Sequence, residues 1–294
     1  MAIRPDTAQD ASAQDPYLIT GPALISFSGG RTSAYMLKMI LDAHGGTLPD
    51  DVHVAFANTG KEREETLRFV HECATRWNVK VRWLEFVTNL RRPGAAARFE
   101  EVGYNSASRN GEPLSRLIAR KQALFSTIRG RWCTEACKVG VLQDFMETVG
   151  FPRGSYTEVL GFRADERDRV YELPRKPRSA DLSLAFPLAA AGVRKGDVLR
   201  WWEAQPFDLM IPRGTGNCDH CPFVSDKSRI ARARMNPEGL DWWEAHEKER
   251  KFSFGYISVE ELRKHIASSP LLAMDDIEAD AAESECAGWC GEAA

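Results

Sequence analysis

The chain has 294 residues, 43% of them hydrophobic and 28% charged, with a formal net charge of −3 at pH 7. These values are ordinary for a globular protein with a sizeable core; they exclude a broadly basic nucleic-acid coat and, with no apolar run of 18 residues, a membrane-spanning helix. Seven cysteines in a chain whose first residues form no apolar signal segment favour metal or redox chemistry over a disulfide framework, and predict a cytoplasmic protein.

Residues 1–17 are small, polar and broken by proline, and read as a loose lead-in. "ALISF" (23–27) reads as a buried strand, followed by a helix over 32–43 with apolar residues at Met36, Leu37, Ile40 and Leu41. "VHVAFA" (52–57) is a second strand, and a helix begins at about Glu62 with Leu67, Val70, Cys73 and Trp77 at helical spacing. "VKVRWLEF" (79–86) is a third strand. Strands alternating with helices at this spacing predict a mainly parallel sheet with helices on both faces, a three-layer α/β sandwich.

Residues 87–113 read as irregular, a lid or substrate loop. Two helices are predicted over 114–128 and 138–148, a strand at 156–162, an arginine-rich loop after it, and a short extended piece at "LSLAFPL". "KGDVLRWWEA" reads as a helix whose start Asp197 supports. Residues 206–236 are loop-rich and 237–268 helical. The last 20 residues carry seven carboxylates and no Lys or Arg, a composition that disfavours a packed core. The predicted organisation is a lead-in (1–17), an α/β domain with the cysteine cluster (18–225), a small helical C-terminal part (226–270) and an acidic, cysteine-containing tail (271–294), the C-terminal region as a whole being cysteine-bearing.

The junction Ser28-Gly29-Gly30-Arg31-Thr32-Ser33 lies between the first strand and the first helix. Glycines there let backbone N–H groups and a helix N-terminus approach an anion, although a plain turn with Ser28 or Thr32 as a helix cap is the simpler alternative. The spacing is neither GxxxxGK(S/T) nor GxGxxG. With its neighbours, the stretch resembles the PP-loop of the adenine-nucleotide α-hydrolase superfamily, whose signature is Ser-Gly-Gly-x-(Thr/Asp)-Ser. The resemblance extends to the phosphoadenosine-phosphosulfate (PAPS) reductase-like family through three further segments. They are "FANTGKEREETLRFV", "LGFRADERDR" and the run "FPLAAAGVRKGDVLRWWEAQPFD" leading to "GNCDHCPF".

That resemblance implies binding of ATP, PAPS or adenylyl sulfate, with Mg²⁺. The contacts would come from Ser28, Gly29, Gly30, Arg31, Thr32, Ser33, Asn58, Thr59, Gly60 and Gly161. Arg163 and Arg169 follow a strand end, where arginine grips phosphate or sulfate oxygens; the alternative pairs them with Asp165, Glu166 and Asp168.

Cys133 and Cys137 (C-x-x-x-C) with Cys218 and Cys221 (C-x-x-C) make a four-thiolate set, whose spacing suits zinc and an iron–sulfur cluster equally. The resemblance implies a [4Fe-4S] cluster. It also sets Glu285-Cys286 beside the C-terminal nucleophile of sulfonucleotide reductases, here with Ala287 in place of the Gly and no following His. Arg131 and Lys138 flank the first pair. "KSRIARARM" (227–235) suggests either a nucleic-acid contact or a solvated helix face. The tryptophan pairs Trp201-Trp202 and Trp242-Trp243 read as packing residues.

Two activities are implied. In one, ATP is cut to AMP and pyrophosphate to activate an acceptor for sulfur transfer, the acceptor being a tRNA, DNA or a small molecule. In the other, a thiol- or protein-supplied electron donor supports reduction of adenylyl sulfate or PAPS to sulfite through Cys286. A non-catalytic nucleotide-binding or zinc-stabilised interaction module is the remaining alternative, and a homodimer is compatible with each. An intact glycine loop has a pyrophosphate to hold, and so favours the first.

Overall fold

Period-two alternation along the strands divides their side chains between two cores. In β1 (Ala23–Ser26), Ala23 and Ile25 enter one core and Leu24 the other; in β2 (Val52–Asn58), Val52, Val54 and Phe56 oppose Ala55 and Ala57. The computed structural model describes residues 15–87, 98–211 and 215–268.

The first core is closed by α1 (Arg31–Ala43) and α2 (Glu64–Arg76), whose Leu37, Ile40, Leu67 and Val70 are fully buried. On the other face, β3 (Val81–Phe86) lays Leu84 and Phe86 in the second core. Its neighbour β4 (Phe99–Val102) pairs antiparallel at the sheet edge, with Trp83 opposite Val102. This strand lies inside the stretch expected to be irregular: "FEEV" carries two edge carboxylates and no apolar alternation. The helix expected over 114–128 is α3 (Glu112–Lys121), which stops where Gln122 adopts a left-handed φ of 52°.

The predicted helix over 138–148 begins earlier. A short turn, α4 (Trp132–Thr134), runs into a π-helical stretch, Glu135–Val139, and then into α5 (Gly140–Thr148). Widened π turns are common at functional sites, and this one carries Cys137. After β5 (Thr157–Val159), the arginine-rich segment forms the short α6 (Arg167–Glu172) and two 3₁₀ turns. The extended piece is β6 (Ser183–Ala185), followed by α7 (Pro187–Ala190) and α8 (Lys195–Glu203). Asp197 does start α8, its carboxylate accepting the Arg194 N–H at 2.8 Å.

Sheet order is β4-β3-β2-β1-β5-β6, parallel except for β4. The chain leaves β1 in one direction for β2 and β3, then returns on the opposite side for β5 and β6. The C-terminal ends of β1 and β5 therefore flank a topological switch point, the place where open α/β sheets bind ligands.

The loop-rich 206–236 segment contains a helix, α9 (Asp226–Met235), and α10 (Asp241–Arg250) and α11 (Val259–Ser268) follow. Trp243, Phe254 and Leu262 share the second core with Leu24 and Leu84, so the helical C-terminal part buttresses that face of the sheet. The solvated-face expectation for "KSRIARARM" requires correction, because Arg229 and Arg232 are buried. Arg229 donates to the Ile257 carbonyl at 2.6 Å. The tryptophans do pack: Trp202 and Trp243 are fully buried. No helix among the described residues is long and apolar enough to cross a membrane. The acidic tail with Cys286 lies outside the described residues.

Candidate nucleotide and cysteine site

The glycine loop leaves the end of β1 and feeds α1. Gly29 has φ +79°, and a Cβ there would sit 2.8 Å from Thr66 Cγ2, so packing against α2 requires glycine. Gly30 stands at the N-cap of α1 in an extended conformation, no side chain caps the helix, and no acid lies in its first turn. The positive end of a 13-residue helix is thereby left for an anion. Ser33 Oγ ties the loop to itself, accepting the Ser28 N–H at 3.2 Å, donating to the Gly30 carbonyl at 3.0 Å and lying 2.9 Å from Ser28 Oγ.

Arg31 turns its side chain away from the loop. Its guanidinium holds both carboxylate oxygens of Asp208 at 2.7 and 2.8 Å and the Leu209 carbonyl, while Trp202 donates to the Arg31 carbonyl at 3.0 Å. Its own share in the loop is backbone. From the β5 side, Gly161 passes so close that a Cβ would lie 3.3 Å from Ser33 Cα; its part is to admit the first turn of α1. Arg163 is buried beside that turn and donates from Nη1 to Thr32 Oγ1 at 3.1 Å. Asp165 and Glu166 hold the same guanidinium at 3.1 and 3.5 Å. Burial opposes ionisation of Asp165, yet Arg163 keeps its carboxyl below the usual carboxylate range. Arg169 lies one shell further out, bonded to Glu166 at 2.8 Å.

At the end of β2, Asn58 is fully buried. Its Nδ2 donates to Glu85 Oε1 at 2.6 Å and to the Ser108 carbonyl at 2.8 Å, while its Oδ1 accepts the Gly60 N–H at 3.0 Å. Thr59 gives both its N–H and its hydroxyl to Glu62 Oε2, at 2.8 and 2.7 Å. The other oxygen of Glu62 faces Lys138 Nζ at 3.3 Å, and both side chains are largely buried. Sequence reading missed Glu62, which stands where any helix-opening acid would.

The segment carrying the late cysteine pair is pinned to this same edge. Cys218 forms an antiparallel bridge with Glu62; Arg63 N–H donates to the Asn217 carbonyl at 2.8 Å, and Asp219 N–H to the Lys61 carbonyl at 2.7 Å. Asn217, also missed, donates its Nδ2–H to the Ser28 carbonyl at 3.0 Å.

The four cysteines lie close enough to perturb one another. Cys218 and Cys221 share a hydrogen bond; it is the main reason that Cys218 is pushed up and Cys221 is held down to about 6, with the Phe223 backbone, Arg232 and Arg131 also favouring the Cys221 thiolate. Burial, aided by the Cys221 charge, pushes Cys133 up to about 12; burial and the Cys133 charge push Cys137 well up. Lys138 stays protonated: burial opposes its charge, but Glu62, Cys218 and Cys133 raise its pKa.

As donors, four thiols ringed by Lys138, Arg131 and Arg232 fit a thiolate-bound iron–sulfur or zinc centre, since these cations offset its negative charge. Among the described residues, however, no three His, Cys, Asp or Glu side chains converge as metal ligands do.

The phosphoadenosine phosphosulfate reductase domain family matches residues 22–175. The nin region protein ORF290 of Escherichia phage lambda is 32% identical over 219 residues, covering 74% of this chain and 71% of that protein. Protein MJ0066 of Methanocaldococcus jannaschii is 30% identical over 234 residues, covering 77% of this chain but only 41% of that longer protein. Among solved structures, the U34-tRNA thiolase NcsA from Methanococcus maripaludis with its [4Fe-4S] cluster is 12% identical, with a TM-score of 0.38, covering 86% of this chain and 75% of that one.

Proposed function

The chain belongs to the phosphoadenosine phosphosulfate reductase domain family, and from that premise we propose that it is an ATP-cleaving enzyme that activates an acceptor for sulfur transfer. The observation that carries this reading is the uncapped, acid-free N-terminus of α1 beside the buried Arg163. Such a helix end is suited to a phosphate chain whose charge grows as it leaves.

In the proposed reaction an acceptor oxygen attacks the α-phosphorus of ATP, the bond to the bridging oxygen breaks, and pyrophosphate departs with that electron pair. Backbone N–H groups of the loop stabilise the leaving charge, and Mg²⁺ arrives with the nucleotide as its counter-ion. Arg163 orients Thr32 and offers a guanidinium to phosphate oxygens. Sulfide then attacks the adenylylated centre of the acceptor: a bond to sulfur forms, the bond to the AMP oxygen breaks, and AMP leaves with that electron pair.

Cys133, Cys137, Cys218 and Cys221 would hold a [4Fe-4S] cluster. With all four irons ligated by these thiolates, such a cluster would supply one-electron transfer chemistry. The segment of Cys218 and Cys221 is bonded to the glycine loop through Asn217, which supports a shared task for that pair and the loop.

The test is incubation with ATP and Mg²⁺, with and without tRNA, DNA and small-molecule acceptors, resolving AMP, ADP and pyrophosphate. Acceptor-dependent AMP and pyrophosphate support the reading; ADP and phosphate, or no cleavage with any acceptor class, overturn it.

A further inference from the structure

We infer that Asn217 is a positioning residue that couples occupancy of the glycine loop to the order of the segment bearing Cys218 and Cys221; the inference rests on the nucleotide reading above. Asn217 is buried and touches the loop twice. It donates to the Ser28 carbonyl at 3.0 Å, and it lies beside Gly30, where an added Cβ would stand in ordinary van der Waals contact with its Nδ2 at 3.4 Å. The two partners of that hydrogen bond are 189 residues apart in the chain, so it is a tertiary tie between two loops.

The rest of the cysteine segment leans on the nucleotide edge as well. Its backbone is laddered to Lys61, Glu62 and Arg63, and the Arg63 guanidinium holds Asp219 at 3.0 Å. Those three residues follow Thr59-Gly60 directly, and Glu62 Oε2 takes both donors of Thr59. A phosphate chain seated on the loop fixes the peptide of Ser28, and Asn217 transmits that restraint to Cys218, the next residue in the chain. By linkage, whatever orders the thiol segment tightens the nucleotide by the same factor. The consequence suits a two-step reaction, because the cysteine side is fully arranged only when an activating nucleotide is present.

The experiment follows iodoacetamide labelling of Cys218 and Cys221 in the reduced full chain by peptide mass spectrometry, with and without ATP and Mg²⁺. ATP occupancy is measured on the same samples by equilibrium dialysis. ATP is expected to slow labelling about fivefold or more, the lower end of ordinary coupling. Asn217→Asp keeps the shape but turns a carboxylate oxygen toward the Ser28 carbonyl. At saturating ATP it is expected to bind nucleotide and lose the protection to within about twofold. The fully buried Cys73 reports folding by staying unlabelled, and Asn217→Ser replaces the Asp variant if Cys73 becomes reactive.

Bound ATP with no protection in the wild type, or equal protection in wild type and folded variant, overturns the coupling alone. No ATP bound to the wild type removes the nucleotide reading and the coupling together.

Discussion

Arg163 Nη1 donates to Thr32 Oγ1 at 3.1 Å, joining the loop after β5 to the first turn of α1 across the switch point of the sheet. The guanidinium is planar, buried and shared among Thr32, Asp165 and Glu166. Lysine keeps the charge but cannot serve these directions together. Arg163→Lys is therefore expected to weaken ATP binding roughly tenfold, about the loss of one charge-assisted hydrogen bond. Equilibrium dialysis measures it; unchanged affinity in the folded variant would remove Arg163 from the site.

The two glycines of the loop separate fold from function. Gly29 has φ +79° and no room beside Thr66, Phe56 and Val70. Gly29→Ala should cost about 2 kcal/mol and lower the Tm by roughly 4–8 °C. Gly30 has an ordinary φ, and its Cβ would meet Asn217 Nδ2 at 3.4 Å and Ser28 Oγ at 3.7 Å. Gly30→Ala should hold its Tm within about 2 °C while weakening ATP binding, because the added methyl group stands at the helix N-terminus where the backbone must approach a phosphate. Equal Tm losses in both variants would contradict this division.

The α/β frame was legible because its signals are local and periodic. β1, α1, β2, α2 and β3 fall within two residues of the positions expected from strand and helix periods. The misses have physical causes. β4 was hidden by the exposed Glu100 and Glu101 of an edge strand. α9 was hidden by its arginines, since periodicity counts Arg229 and Arg232 as polar although the fold buries both. At the site, the glycine signature identified the loop, but a side chain's direction is not written in a motif. Nothing local reveals that Arg31 turns to Asp208, or that Asn217 reaches Ser28. Both depend on how α8 and the cysteine segment return to the loop.

His246 lies against Ser115, with its Nε2 3.1 Å from the hydroxyl, and burial holds its pKa below the ordinary 6.5. Well above pH 6.5 neither folded nor unfolded chain binds this proton. As pH falls below that value the unfolded chain takes the proton first, so stability declines until the folded pKa is passed. His246→Gln should therefore show a smaller loss of urea midpoint between pH 7.5 and 5.0 than the wild type. His53 and His220 are shifted in the same direction by burial, so the slope flattens without vanishing. A variant with the full wild-type slope would show that His246 makes no difference to it.

In the proposed cluster, four thiolates would close a shell that opens when any member is lost. After anaerobic reconstitution, Cys133→Ser, Cys218→Ser and Cys221→Ser should each lose most of the bound iron and sulfide. Cys137 is fully buried on the π turn, so Cys137→Ala, which adds no polar atom to the core, is the cleaner test there. Wild-type iron and sulfide in Cys218→Ser would remove the late pair from the proposed ligand set. A colourless preparation binding zinc alone would replace the cluster with a structural metal.

The last prediction separates ATP cleavage from sulfonucleotide reduction. The glycine loop presents the open end of α1 to an anion, and its dipoles are held by Ser33, Asn217 and Gly161 before any substrate arrives. Fixed dipoles of this kind favour a leaving group that gains charge, as pyrophosphate does. Reduction would instead need Cys286 as a thiolate. Its neighbours in sequence are acidic, which raises a thiol pKa, and no His follows to lower it. Cys286→Ser is expected to keep ATP-to-AMP turnover within about twofold, because the proposed cleavage uses no tail thiol, whereas Gly30 substitutions lose it. Adenylyl sulfate and PAPS should yield little sulfite under anaerobic conditions with a thiol donor. Sulfite release is to be measured beside pyrophosphate release from ATP, on the same preparations. Rapid sulfite release that disappears in Cys286→Ser, with no ATP cleavage in the presence of any acceptor, would reverse the assignment and make the tail cysteine the nucleophile.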